Sequence, residues 1–222
     1  FIFHFAAQPG VRFSISDPKR YIDENILAFT KVLEFSRLQK CSGTFFASSS
    51  SVYGDSKKFP LQEEMDLAPK NVYGLTKKFN EELASFYSSN FNLKLIGLRF
   101  FTVFGPWGRP DMLTLKFLDS IKYKKTFYIN NFGNHARDFT YVDDAIEMLY
   151  KLFVSWKKLK KFDYFNICSG RQINLMRIIN YIIKKKKIAK VKKVKFQKAD
   201  VLKTHGSNKK IFKIITKKHF ED

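Results

Sequence analysis

Thr44-Phe45-Phe46-Ala47-Ser48-Ser49-Ser50-Ser51-Val52-Tyr53-Gly54, followed further on by Tyr73-Gly74-Leu75-Thr76-Lys77, decides how this chain is read. The first stretch is a short apolar run that stops in serines and a glycine, as a buried strand does where it meets a turn. The second opens an amphipathic stretch from about Val72 to Ser89 that predicts a helix. Its Tyr-x-x-x-Lys spacing places a phenol and an ammonium on one helix face about a turn apart. In an open α/β sheet the ligand crevice lies beyond the carboxyl ends of the strands, so the hydroxyls of Ser48 to Ser51 stand where a substrate would lie. A lysine near a phenol favours the phenolate and makes the tyrosine a candidate general base, and a serine there can share a proton with it. Each half is weak alone, since Tyr and Lys meet at this spacing by chance and serine runs often make local turn bonds.

Outward from this pair, short apolar runs alternate with amphipathic stretches, which predicts βαβ units and a mainly parallel sheet. Upstream, Phe1-Ile2-Phe3-His4-Phe5-Ala6-Ala7 reads as a buried strand entered midway, followed by the loop Gln8-Pro9-Gly10-Val11. A helix then opens near Pro18, with Ile22, Ile26, Phe29 and Leu33 at helical spacing. Residues 54–71 form a long irregular connection, and Leu95 to Phe100 reads as a strand. The character changes at the loop Gly105-Pro106-Trp107-Gly108-Arg109-Pro110. Beyond it we expect a helix from Met112 to Ile121 and a β pair made by Phe127–Asn130 and Asp138–Tyr141. A helix from Val142 to Phe153, a strand from Tyr164 to Ile167, a helix from Asn174 to Lys184 and a strand from Val191 to Phe196 follow. The tail from Lys209 reads as a final short helix or a frayed end. The expected fold is α/β, a Rossmann-like parallel sheet whose N-terminal part is missing, with a smaller C-terminal α/β substrate lobe. Residues 1–104 continue the sheet, and residues 105–222 form the lobe, interleaved with it.

Composition narrows the class. The 222 residues are 45% hydrophobic and 17% aromatic, enough for a sizeable core and against disorder. No apolar run approaches the length of a membrane helix, and nothing at the start reads as a signal peptide, so the expected location is the cytoplasm. The chain has no initiator Met, which we read as a fragment whose earlier part is absent. Cys41 and Cys168 match neither a disulfide framework nor a metal site. The formal charge of +21 is mostly lysine, gathered in Lys157-Lys158, Lys160-Lys161, Lys184 to Lys187 and Lys217-Lys218. Arginine, the residue of bidentate base and phosphate contacts, is scarce, so a solvated lysine surface is the better reading and no nucleic-acid partner is expected.

With the strand-end serines and the Tyr-x-x-x-Lys helix taken together, the chain resembles the extended short-chain dehydrogenase/reductase superfamily, among its NAD-dependent epimerases and dehydratases. His4 to Arg12 resembles the loop after the fourth strand of nucleotide-sugar epimerases, and Asp17-Pro18 with Tyr21-Ile22-Asp23-Glu24-Asn25 resembles their next helix, whose Asn faces the cofactor. Leu98 to Met112 and Arg137-Asp138-Phe139-Thr140-Tyr141-Val142-Asp143-Asp144 are similar to the UDP-glucuronate 4-epimerases in particular. The likeness covers roughly residues 3–182 and fades through Asp200-Val201-Leu202. Two departures stand out: the family's G-x-x-G-x-x-G cofactor fingerprint is not in this chain, and Gln197-Lys198-Ala199-Asp200-Val201 has Lys-Ala where the family usually shows Pro-Gly.

The resemblance implies NAD as cofactor, a UDP-sugar as substrate, a homodimer and no metal. It implies that Tyr73 takes the 4-hydroxyl proton, that Ser49 completes the relay and that Lys77 holds the nicotinamide ribose. Phe5, Ala6, Ala7, Asn25 and Phe100, with Tyr73 and Lys77, would line the cofactor. Gln8, Ser50, Ser51, Thr102 and Arg109 would take the sugar and its C6 carboxylate, and Arg137 and Asp200 the diphosphate and uridine end. Related 4,6-dehydratases place an Asp-Glu pair just after the catalytic hydroxyl, where this chain has Ser50 and Ser51; dehydration is therefore disfavoured. Left open are a 4-epimerase of UDP-glucose or UDP-N-acetylglucosamine, a UDP-glucuronate decarboxylase and, in a different class, a non-catalytic basic fragment that binds an anionic polymer.

Overall fold

Four parallel strands, β1 (Ile2–His4), β2 (Thr44–Ser49), β3 (Leu95–Phe100) and β7 (Phe162–Ile167), lie in that order in one sheet. The computed structural model describes residues 1–186, 190–195 and 200–215. Strand alternation divides the core. Phe45, Ile96 and Leu98 pack with Phe165 and Ile167 against α6 (Val142–Val154) through Met148 and Leu152. Phe46 and Leu95 turn the other way, onto Phe29 and Leu33 of α3 (Ala28–Leu38) and Ala84 and Tyr87 of α4 (Val72–Phe91). Fully burying each such side chain contributes about 1.5–3 kcal/mol, so the two layers fix where the strand ends point.

The helix expected at Pro18 is present but composite. A short α1 (Phe13–Ser16) precedes α2 (Pro18–Tyr21), whose cap is the Asp17 side chain, and a π turn at Ile22–Leu27 leads into α3. The N-terminal strand is shorter and less covered than its apolar run suggests: β1 is three residues long, and Phe1, Phe3 and Phe5 are exposed. The 54–71 connection is irregular as expected, with an isolated bridge from Leu61 to Gly206 and hydrogen bonds from Arg99 on β3 and Asn166 on β7 to Glu63.

Beyond Phe100 the chain builds two small sheets, β4 (Thr102–Phe104), β6 (Ala136–Tyr141) and β8 (Gln172–Asn174) in one, β5 (Phe127–Ile129) and β9 (Val191–Lys193) in the other. The expected pairing of 127–130 with 138–141 is not made. Asn131 and Phe132 take left-handed backbone angles, which breaks the run, and β5 pairs instead with β9 in parallel while β6 pairs with β4 and β8. Helices α5 (Leu113–Lys122) and α7 (Leu175–Lys186) enclose an apolar centre of Phe117, Phe127, Ile129, Phe139 and Ile179. Strand β7 returns to the first sheet beside β3. The expected strand to Phe196 stops at Lys193; Phe196, the Gln197-Lys198-Ala199 departure and the tail beyond 215 lie outside the described residues. Among the described residues, no helix is long and apolar enough to cross a membrane.

Candidate active site

The end of β2 turns at once into a 3-10 turn, Ser50–Tyr53, which Ser49 caps by accepting the Ser51 N–H at 3.1 Å. Gly54 follows with φ +63, and a Cβ there would sit 1.8 Å from the Ala68 carbonyl, so only glycine lets the connection fold back onto the turn. That connection ends at Asn71, whose side chain caps α4 by accepting the Gly74 N–H at 2.8 Å. Gly74 is the point of closest approach: a Cβ would lie 2.7 Å from the Ser51 carbonyl. The first turn of α4 is thereby pressed against the serine turn, and Tyr73 stands beside Ser49.

Burial pushes the Tyr73 phenol above its ordinary value, while a hydrogen bond with Ser49 and the nearby Arg109 guanidinium pull the other way. Lys77, one turn on, is 3% exposed. Its ammonium donates to the Ala47 carbonyl at 2.8 Å and lies 5.9 Å from the centre of the Tyr73 ring. In this chain the pull on the phenol thus comes from Ser49 and Arg109, and burial lowers the lysine itself from 10.5 to about 8. Because this folded value lies below the ordinary one, between pH 8 and 10.5 the unfolded chain binds more protons, and stability rises with pH across that window. Lys77→Met is expected to stabilise the chain at pH 7 by about 1–3 kcal/mol and to flatten the rise, as read by urea unfolding at pH 7 and pH 10.

Asn25 sits in the π turn, a feature frequent at functional sites. Its side chain accepts the Gln8 N–H at 2.7 Å and donates to the Gln8 carbonyl and the Thr76 hydroxyl, both at 3.1 Å. Asn80 donates to the Asn25 carbonyl at 2.9 Å, so the loop after β1 is locked to α4. Phe5 and Ala6 are exposed and Ala7 half-buried; the Phe5 ring meets Phe100 edge-on at 5.8 Å, making an apolar ledge at the strand ends. Ser50, Ser51 and Thr102 are half-buried around the same mouth. Arg109 pairs bidentately with Asp111, its Nε at 2.9 Å, and its charge is felt at both Tyr73 and Tyr21.

Arg137 and Asp138 part company. Arg137 donates to the carbonyls of Val201 and Leu202, whereas Asp138 is fully buried and accepts from the N–H groups of Ser169, Gly170 and Gly206 and from the Ser169 hydroxyl. Asp200 pairs with Arg12 at 2.8 Å. Arg137, Asp200 and Arg12 feel one another's charge where the C-terminal segment meets the loop after β1.

A family model for the NAD dependent epimerase/dehydratase family matches residues 1–168. The chain belongs to that family. NAD is the family's cofactor, and the family's Rossmann-like fold is the one seen here. The chain is 38% identical to Protein CapI of Staphylococcus aureus over 96% of its own length and 69% of that protein's. It is 41% identical to a probable UDP-glucuronate 4-epimerase of Rhizobium meliloti over 68% of this chain and 45% of that one. The solved UDP-glucuronic acid 4-epimerase of Bacillus cereus, in complex with UDP-glucuronic acid and NAD, superposes with a TM-score of 0.92 at 30% identity, over 98% of this chain and 69% of that one.

Sequence reasoning missed several residues of the site. Tyr21 is buried, donates to the Pro9 and Gly10 carbonyls and meets the Tyr73 ring edge-on at 6.3 Å. Arg12 was legible only as part of a loop, and its partner lies 188 residues away. Arg99 and Glu81 form a fully buried pair; an arginine inside an otherwise apolar strand was the available signal.

Proposed function

We propose that this family member is an NAD-dependent isomerase of UDP-sugars, most specifically a UDP-glucuronate 4-epimerase yielding UDP-galacturonate for surface or capsular polysaccharide synthesis. The observation that carries the reading is the contact of Ser49 with Tyr73 at the end of β2, with Lys77 one turn along the same helix. The donor set fits NAD: the Tyr73 hydroxyl and Lys77 ammonium suit a ribose diol, and Phe5, Ala6, Ala7 and Phe100 offer an apolar wall, with Asn25 fixing the loop above it. NAD, when bound, supplies a reversible acceptor for the C4 hydrogen. Tyr73, as phenolate, takes the 4-hydroxyl proton, Ser49 hydrogen-bonds both the tyrosine and substrate oxygens, and Lys77 keeps its positive charge beside the phenolate before that transfer. After the sugar turns its other face, Tyr73 returns the proton to the 4-keto oxygen. Gln8, Ser50, Ser51, Thr102 and Arg109 hold the sugar and carboxylate, and Arg137 with Asp200 the nucleotide end. The test is turnover of UDP-glucuronate with added NAD, by the chain alone and joined to the N-terminal third of the Bacillus cereus relative. Absence of UDP-galacturonate from both sinks the reading.

The same reading includes a homodimer. Helix α4 buries Thr76, Lys77, Asn80, Glu81 and Ser88 beside Ala84 and Tyr87, and exposes Leu75, Phe79 and Phe86. Leu27, Phe35 and Leu38 add an exposed apolar face on the neighbouring helix, and such a surface favours burial against its symmetry mate. Sedimentation at micromolar concentration is expected to show a dimer that Phe79→Glu with Phe86→Glu converts to monomer; a monomeric wild type rules the interface out.

A further inference from the structure

Around Arg99 lies a buried polar network that the reaction scheme does not use. Arg99 is in register with Ser48 on β2. Its Nε and Nη2 grip the two carboxylate oxygens of Glu81 at 2.8 and 2.7 Å, and both side chains are 2% exposed. Its Nη1 donates to the Tyr53 hydroxyl and to the Glu63 carbonyl, each at 2.9 Å. The guanidinium lies over the Tyr53 and Tyr164 rings, 4.9 and 4.6 Å from their centres. Ser48 adds a 2.5 Å hydrogen bond to Glu81. Tyr53 in turn donates to Asn166 on β7, whose backbone N–H donates to the Glu63 carboxylate at 2.8 Å.

Each member of this network is tied to part of the candidate site. Ser48 is the chain neighbour of Ser49. Tyr53 ends the turn that Ser49 caps. Glu63 sits midway along the connection that leads from that turn to the Asn71 cap, and Glu81 lies one helical turn past Lys77 and two past Tyr73 on α4. One guanidinium therefore holds both ends and the middle of the path that separates Ser49 from Tyr73. Stability alone does not call for such a pair, since well-packed apolar residues of the same volume often replace buried ion pairs at no loss. We propose that Arg99 and Glu81 are positioning residues that set the spacing of Ser49 from Tyr73 and Lys77. The proposal rests on Tyr73 being the base, and it adds that the geometry of that base is set from two turns further along the same face of α4.

The test uses this chain with 3-fluorotyrosine in place of Tyr73, whose fluorine NMR line reports phenol ionisation and environment. In Arg99→Met/Glu81→Met, which keeps volume and removes both charges, cooperative thermal unfolding is expected to persist. The fluorine line is expected to split or shift, and its titration midpoint to rise by about one pH unit as the Ser49 hydrogen bond loosens. Arg99→Lys, which keeps the charge but not the fork, is expected to fall between. In the turnover assay the double variant loses kcat by roughly 10–100-fold with KM unchanged, as a small misplacement of a base does. A folded double variant whose line, midpoint and kcat match the wild type overturns the proposal. If the double variant fails to unfold cooperatively, Arg99→Lys decides by the same readings. Should no UDP-sugar be turned over while the fluorine line behaves as stated, the clamp stands and the epimerase reading falls; an unmoved line removes the clamp whatever the turnover.

Discussion

Tyr73→Phe is expected to lower kcat for UDP-sugar epimerisation by about 10²–10⁴-fold, the range for removing a general acid–base. The change deletes one oxygen from a half-buried ring that keeps its place against Tyr21, so the fold should not suffer. NAD affinity, read by fluorescence quenching, should weaken little, because Lys77 and the apolar ledge stay. The pH profile separates a base from a spectator. Burial holds the phenol above its ordinary value, so wild-type kcat should climb with pH as phenolate accumulates, and the variant should lose that climb. An active variant with an unchanged pH profile would assign the proton transfer to another group.

Arg109→Ala is expected to weaken UDP-glucuronate binding by about 1.5–3 kcal/mol, the range for a hydrogen bond to a charged group, and to affect UDP-glucose much less. A uronate C6 carries a full charge that glucose lacks, and its burial requires a donor or cation nearby. The Arg109 guanidinium is close enough to influence Tyr73, and its pairing with Asp111 holds it above its ordinary value, so it stays charged at any working pH. Asp111 takes one edge of a group that has five N–H donors, so a second carboxylate can be held at another. An anchored carboxylate also resists loss as carbon dioxide at the 4-keto stage, which separates epimerisation from decarboxylation. The measurement is kcat/KM for both sugars in wild type and variant. Equal or better turnover of UDP-glucose by the wild type, or an unchanged preference in Arg109→Ala, leaves only a general 4-epimerase.

The sequence by itself determined the succession of strands and helices along the parallel sheet and singled out Ser49, Tyr73 and Lys77 as candidates. These signals are local: periodicity, strand-end serines and a spacing of four along one helix need no distant partner to be read. The pairing of β5 was not legible, because two left-handed residues redirect the chain and its partner strand lies some sixty residues further on. The destination of each charge was not legible either. Asp200 reads alike as a ligand for uridine or a partner for Arg12, and Arg137 and Asp138, adjacent in sequence, point to different surroundings because successive strand residues face opposite ways. Tertiary structure alone decided the buried Arg99–Glu81 pair, the low proton affinity of Lys77 and the exposure of Leu75, Phe79 and Phe86 on α4. Each depends on burial, and burial is set by packing between segments that the chain brings together only once it has folded.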